Sequence, residues 1–457
     1  MITKLAPPVF PDVKGTLSKN LIDDVFPPHL ELVPQLNKLY ELQLAFYESR
    51  LLTDEEIVQR GAYFARVGER PTRHFLICQG EPLKLADHSS SRLKAFFQMK
   101  QFKTGYATHG LFPYRGKFHP QMVKALLNIM GLRPGETVLD PMMGSGTTLI
   151  EATLMGIHSI GVDTSPFCRF MTQAKLDGFY VPLDSIQWAS RNVDAIFEHF
   201  TLTTGHPNKR QALGKPRQVN LGLDKGTTSR VTRSRAVHSL LKLRPVRDYL
   251  LLAFLDSAGY SIRSKRKSPF EQFRAILERY LFVARKIQNV LQGAESELGT
   301  GTVQDGDARK LPVEDSQVDG ILFSPPYSFA IDYLANDAFH LQALGVDIPM
   351  LREKMIGLKG KTLKEKYEIY VQDMRSVLDE CHRVLRTGRF CTIVVGTNDQ
   401  QLAKIFGVEP QDVRSIDELL VDLAEASGLA LVRRIERQIT GMANTMRSEH
   451  ILLFQNR

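Results

Sequence analysis

One stretch limits the fold more than any other: over residues 117–178 helix, strand, glycine-rich turn, helix, strand and helix follow each other without a break. Val123, Leu126, Leu127 and Met130 recur at helical spacing, and Gly131 ends that helix. The apolar run Thr137–Leu139 predicts a strand that closes on Asp140, and a loop with Gly144 and Gly146 leads into a helix from about Thr147 to Met155. A second strand, Ser159–Val162, ends at Asp163, and Thr164 or Ser165 caps the next helix with Pro166 near its first position. A βαβα unit of this kind is the signature of a parallel sheet with right-handed crossovers.

The alternation stops for some 120 residues and resumes at Gly301–Asp305, followed by Val318–Phe323. A long helix with Tyr367, Tyr370, Met374, Leu378, Cys381 and Leu385 on one side leads to strand Phe390–Val395. Ser415 and Glu418 suggest a capping box for a last helix, and Leu429–Ile435 and Glu449–Phe454 make an antiparallel pair. The expectation is an α/β fold with seven strands, mostly parallel, the last antiparallel. Residues 1–105 form a mainly helical accessory region, with Thr53 and Glu56 as a capping box. Residues 106–178 and 301–457 are the two parts of the sheet domain, the first expected to bind a ligand and the second to carry the chemistry, and 179–300 are a basic insertion between them, a candidate for target recognition.

Composition narrows the class. With 43% hydrophobic and 24% charged residues in 457, wholesale disorder is excluded. The apolar run Leu250–Leu255 is far too short for a membrane span, and the proline-rich start lacks a secretory apolar stretch. Four cysteines without a CxxC pair, and His74, His109, His119 and His382 without ligand spacing, give no sign of a disulfide framework or a metal site. A soluble cytoplasmic protein is expected. The charge is uneven: residues 205–270 hold 15 Lys or Arg against three acids, a local +12 in a chain of +9. Arg233, Arg235, Arg263, Lys265, Arg266 and Lys267 lie in this block, which reads as a polyphosphate grip or a solvated basic loop.

Four segments carry chemistry. In Asp140-Pro-Met-Met-Gly-Ser-Gly-Thr-Thr148 the glycines allow close backbone approach, and the helix N-terminus favours an anionic group. The lysine of a P-loop is missing, and GxGxxG is not matched. Asp163, 23 positions after Asp140, is placed to accept from a ribose diol. Gly306-Asp-Ala-Arg309 ends the third strand, where Asp307 could accept from an adenine amine. Ser324-Pro-Pro-Tyr327 ends the fourth. Its prolines leave carbonyls without N–H donors, and its tyrosine offers a face for a planar base bearing an amino group.

The order of Asp140–Thr148, Asp163, Asp307 and Ser324–Tyr327 resembles the S-adenosylmethionine-dependent amino methyltransferases of DNA, and S-P-P-Y looks most like their N4-cytosine members. Thr108–Pro120 and Ser324–Leu334 are similar to segments of a group of bacterial and archaeal DNA modification methylases. The resemblance covers roughly residues 105–178 and 301–457. It implies a Rossmann-like class I methyltransferase fold and S-adenosyl-L-methionine as cofactor. Lys117, Phe118, Asp140, Pro141, Gly144, Ser145, Gly146, Thr147, Thr148, Asp163, Asp307 and Ala308 would hold that cofactor, and Ser324, Pro325, Pro326 and Tyr327 the target base. DNA is the implied partner, with room for a restriction or defence-system partner and none for a membrane. An RNA amino methyltransferase, an adenine-N6 enzyme and an inactive nucleic-acid-binding protein are the alternatives. Met142 stands where the family usually has Phe, and Arg386-Thr-Gly-Arg389 lacks its usual double glycine.

Overall fold

The computed structural model describes residues 24–34, 36, 38–78, 105–114, 116–204, 235–263, 268–292, 297–326, 332–396, 399–438 and 448–457. The N-terminal part contains a three-stranded antiparallel sheet of β1 (Leu30–Leu32), β2 (Phe64–Val67) and β3 (Arg70–Pro71) beside helices α1 (Leu39–Leu51) and α2 (Asp54–Arg60). That sheet was not expected from the sequence. Strands of three and two residues are too short to show a period. The Thr53–Glu56 capping box of α2 does form.

The remaining elements build one seven-stranded sheet. Its strands are β4 (Thr137–Asp140), β5 (His158–Asp163), β6 (Gly301–Asp305), β7 (Val318–Phe323), β8 (Leu385–Gly396), β9 (Leu429–Gln438) and β10 (Ser448–Asn456). Their order is β6-β5-β4-β7-β8-β10-β9, and β10 alone runs against its neighbours. This is the Rossmann-like class I methyltransferase arrangement. Strand order reverses between β4 and β7, where Leu139 pairs with Ile160 on one side and Ile321 on the other. In such sheets a crevice forms outside the carboxyl ends of the strands at the reversal.

Helix α3 (Pro120–Ile129) leads into β4, and all ten of its residues are buried. Its apolar side meets the sheet, while the N-terminal region covers the other. Gln121 Nε2 donates to Ala62 O at 2.9 Å, and Asn128 Nδ2 to Glu48 Oε1 at 2.7 Å. The N-terminal region thus shares a continuous apolar core with α3, β7, β8 and β10, including Tyr47, Leu126, Leu322, Val394 and Ile451. Burial raises the Glu48 carboxyl to about 7, against hydrogen bonds from Asn128 and the Ala62 and Tyr63 amides.

Helices α4 (Thr147–Leu154) and α5 (Pro166–Asp177) connect β4, β5 and the insertion. Ser165 caps α5 by accepting from Cys168 N, with Pro166 in the first turn. Most of the insertion that the structure describes is helical: α6 (Leu183–Arg191), α7 (Val193–Thr203), α8 (Arg244–Arg263) and α9 (Pro269–Leu291). Its Leu250, Phe254, Phe273 and Tyr280 join Leu149, Phe167 and Met171 in a second large core cluster. Arg279, 5% exposed, pairs with Asp256, 1% exposed, at 2.7 Å and also donates to Leu111 O. Arg244 and Arg247 are both paired with Asp248. Helices α10 (Tyr333–Ala343), α11 (Leu363–Val384), α12 (Asp399–Phe406) and α13 (Ile416–Ala426) complete the fold. The capping box expected at Ser415 is absent: Ser415 Oγ donates to the Asp417 carboxylate instead, at 2.6 Å. Among the described helices none is long and apolar enough to cross a membrane.

Candidate functional site

A solvent-open cleft lies outside the carboxyl ends of β4, β5 and β7. Pro141, Met142 and Gly144 come to it from the loop after β4, Asp163 and Thr164 from the end of β5, Ala308 from beyond β6, and Ser324, Pro325 and Pro326 from the end of β7. The reversal of strand order makes these loops neighbours. Thr148 Oγ1 at the start of α4 reaches the Leu322 carbonyl of β7 at 3.4 Å.

The loop is braced from three sides. Gly146 is the residue before α4 and sits at φ 75°, where a Cβ would also lie 2.5 Å from Thr172 Cγ2. Only glycine fits there. Thr172 Oγ1 donates to Gly144 O at 3.1 Å, and the buried Lys175 Nζ to Ser145 O at 3.0 Å. Burial pushes the Lys175 pKa well below the usual lysine range. Asp163 accepts from Gly144 N at 2.9 Å through one oxygen and from Ser165 N at 2.8 Å through the other. Burial raises its carboxyl, against those two amides and Arg169. Beneath the loop, Asp140 is buried and held up at about 7 by desolvation, against hydrogen bonds from Thr148 and the Met142 amide. Ser145, Thr147 and Thr148 are buried in the same turn.

Among the described residues, Asp307, Lys117 and Phe118 do not line the cleft. The Asp307 carboxylate is taken by Arg309, which donates through N, Nε and Nη2 and also binds Asp373, so its neighbour Ala308 faces the cavity. Lys117 donates to His109 O at 3.2 Å, and burial lowers it to about 8, while Phe118 packs against the N-terminal core. Gly116, just before them, does line the cleft. Arg235 is exposed and Arg263 ends α8, whereas Tyr327, Arg233, Lys265, Arg266 and Lys267 lie outside the described residues.

Sequence reasoning missed Tyr114, Cys168, Tyr333, Met355 and Ile356, which complete the lining. Tyr114 belongs to the segment Thr108–Pro120 and its hydroxyl meets Cys168 Sγ at 3.5 Å. It puts an aromatic ring beside Gly144, 3.8 Å from where a Cβ would be, on a wall that otherwise has Met142. That segment is anchored by a buried polar knot. Glu151 of α4 accepts from Tyr106 Oη at 2.6 Å and His109 Nε2 at 2.7 Å, and its other oxygen lies 3.4 Å from Lys124 Nζ.

Residues 111–223 match a family model described as UPF0020, RMKL-like, methyltransferase domain. The chain carries a methyltransferase fold. It is 24% identical to the type II methyltransferase M.BsoBI of Geobacillus stearothermophilus over 335 residues, 64% of this chain and 62% of that protein. It is 24% identical to the type II methyltransferase M.MjaII of Methanocaldococcus jannaschii over an alignment of 429, covering 72% of this chain and 76% of that one. A 52-residue stretch, 11% of this chain and 16% of its relative, is 40% identical to a tRNA (guanine(10)-N2)-dimethyltransferase of Methanothermobacter thermautotrophicus. The chain therefore spans a little under two thirds of the first of these relatives.

Proposed function

We propose that this chain transfers a methyl group from S-adenosyl-L-methionine to an exocyclic amino group of DNA, cytosine N4 in the first place. The observation that carries the proposal is the single cleft shared by Gly144, Asp163 and Ala308 on one side and Ser324–Pro326 on the other. The donor set suits the cofactor: a half-buried carboxylate for a ribose diol, an apolar wall of Met142, Ala308 and Ile356 for an adenine, and a glycine turn at a helix start. Bound there, S-adenosylmethionine supplies an electrophilic methyl group. Asp163 and the loop braced by Thr172 and Lys175 fix the position of that group. The similarity to two type II methyltransferases supports DNA as the polymer.

The amino nitrogen of cytosine is a weak nucleophile because its lone pair is delocalised into the ring. Ser324 and the Pro325 carbonyl accept its hydrogens, favour a tetrahedral nitrogen and take up the positive charge that grows on it. Pro325 and Pro326 have no N–H to compete for those acceptors. The nitrogen then loses one proton to water. Rate comes from positioning and electrostatic complementarity, with no covalent enzyme intermediate. The base must leave the duplex stack to reach the cleft, and Tyr327 is the residue we assign to stack on it. Arg233, Arg235, Arg263, Lys265, Arg266 and Lys267 are assigned to the phosphate backbone.

A second reading, amino methylation of RNA, is favoured by the 52-residue similarity to the tRNA enzyme. Calorimetry and a methyl-transfer assay test both. Asp163→Ala removes a carboxylate that holds the loop as well as a ribose, so its affinity for S-adenosylmethionine should fall about 10- to 150-fold, equivalent to about 1.5–3 kcal/mol. Unchanged binding in the folded variant would remove the cofactor assignment. Transfer of label to tRNA and not to duplex DNA would favour the second reading.

A further inference from the structure

One stretch of chain that reaches the cleft carries charge that neither the loop nor the insertion accounts for. Between Arg352 and Lys366 there are six Lys or Arg and two Glu, a local +4, and Met355 and Ile356 in the middle of this stretch line the cleft. Lys354, Lys361 and Lys364 are exposed, and among the described residues none of the three forms an ion pair.

The stretch is fixed in place. Arg309 Nη2 donates to Lys354 O at 3.0 Å while the same guanidinium binds Asp307 and Asp373, so one side chain ties the stretch to the end of β6 and to α11. Arg352 pairs with Asp332 at 2.6 Å, just before α10. Gly360 sits at φ 108°, and a Cβ there would lie 2.8 Å from Lys366 N, so the turn into α11 is closely packed. Lysines held by backbone bracing beside an opening lose less freedom on binding a polyanion than lysines on a loose loop.

We propose that residues 352–366 form a phosphate-binding wall at the entrance to the cleft, gripping the phosphodiester backbone next to the base presented to Ser324 and Pro325. This rests on the reading of the chain as a nucleic-acid methyltransferase. Arg309 acts in it as a positioning residue. The wall neutralises phosphates and does not read bases.

The test is the salt dependence of binding to a labelled duplex DNA and to an RNA hairpin, for the wild type and the triple variant Lys354→Gln, Lys361→Gln, Lys364→Gln. Loss of three phosphate contacts should flatten the duplex slope by up to about 2–3 log units per log unit of salt, and an RNA substrate would show a parallel flattening in the hairpin arm. Affinity for S-adenosylmethionine is measured alongside as a check on folding. A triple variant with wild-type affinity and slope, from a wild type that binds and methylates nucleic acid, overturns the wall and leaves the function standing. So does flattening confined to a variant neutralised at Arg263, Lys265, Arg266 and Lys267. A wild type that binds neither polymer overturns both.

Discussion

Glu151 has no exposed side-chain surface, yet it carries a charge. Burial alone would raise its carboxyl, but the Lys124 ammonium and the hydrogen bonds from His109 and Tyr106 bring it down to about 2. Burial lowers His109 to about 4, so at neutral pH its imidazole is uncharged and donates through Nε2. Glu151→Gln leaves the buried Lys124 ammonium without a counter-charge, and should cost about 3–5 kcal/mol in denaturant unfolding at pH 7. The carboxyl titrates lower in the folded chain than its usual 4.5, so the unfolded chain binds more protons in between. Its contribution is therefore complete above about 4.5 and disappears as pH falls towards 2, and the gap between wild type and variant should narrow over that window. A gap independent of pH would show that Glu151 acts by packing alone. None of this was legible in the sequence, where Lys124 reads as the polar side of an amphipathic helix and His109 as a lone histidine. Asp163 was legible because it ends a strand after a glycine loop. The engagement of Asp307 was not, because its partner Arg309 also needs Asp373, distant in sequence, to be held.

At the scale of elements, six strands of the large sheet were readable to within three residues, whereas β8 begins at Leu385, five residues before the expected Phe390 and on a residue read as part of the preceding helix. The outer side of α3 was not readable. Its polar residues bond across an interface with the N-terminal region instead of facing water. The turn into α4 gives a sharp test. Gly146→Ala must adopt positive φ and displace Thr172, which should cost about 1–3 kcal/mol of stability and weaken cofactor binding together. A variant of full stability and full affinity would mean that the loop tolerates a different path. The insertion looked like a basic block in composition, but its helices α8 and α9 are core elements. Arg279→Met removes the partner of Asp256 and the donor to Leu111 O, so urea unfolding should show a loss of about 3–5 kcal/mol. A loss below about 1 kcal/mol would place the pair among ion pairs that contribute little.

Across the whole molecule, the reversal of strand order at β4 and β7 turns two separate sequence motifs into one site. The motifs are 178 residues apart at Gly146 and Ser324, yet their loops share a cavity because their strands are hydrogen-bonded neighbours. The cleft's outer wall could not be read, since Tyr333, Met355 and Ile356 are apolar or aromatic residues whose position depends on how α10 and the turn before α11 fold back. The proposed activity of this cavity is methylation of an amino group of a nucleic-acid base. It is tested most directly by nucleoside mass spectrometry of DNA and RNA from cells expressing the wild type or Asp163→Ala. N4-methylcytosine in DNA is expected with the wild type, and its loss with the variant. C5-methylcytosine as the sole product, or no methylated amino base in either polymer, would contradict that activity.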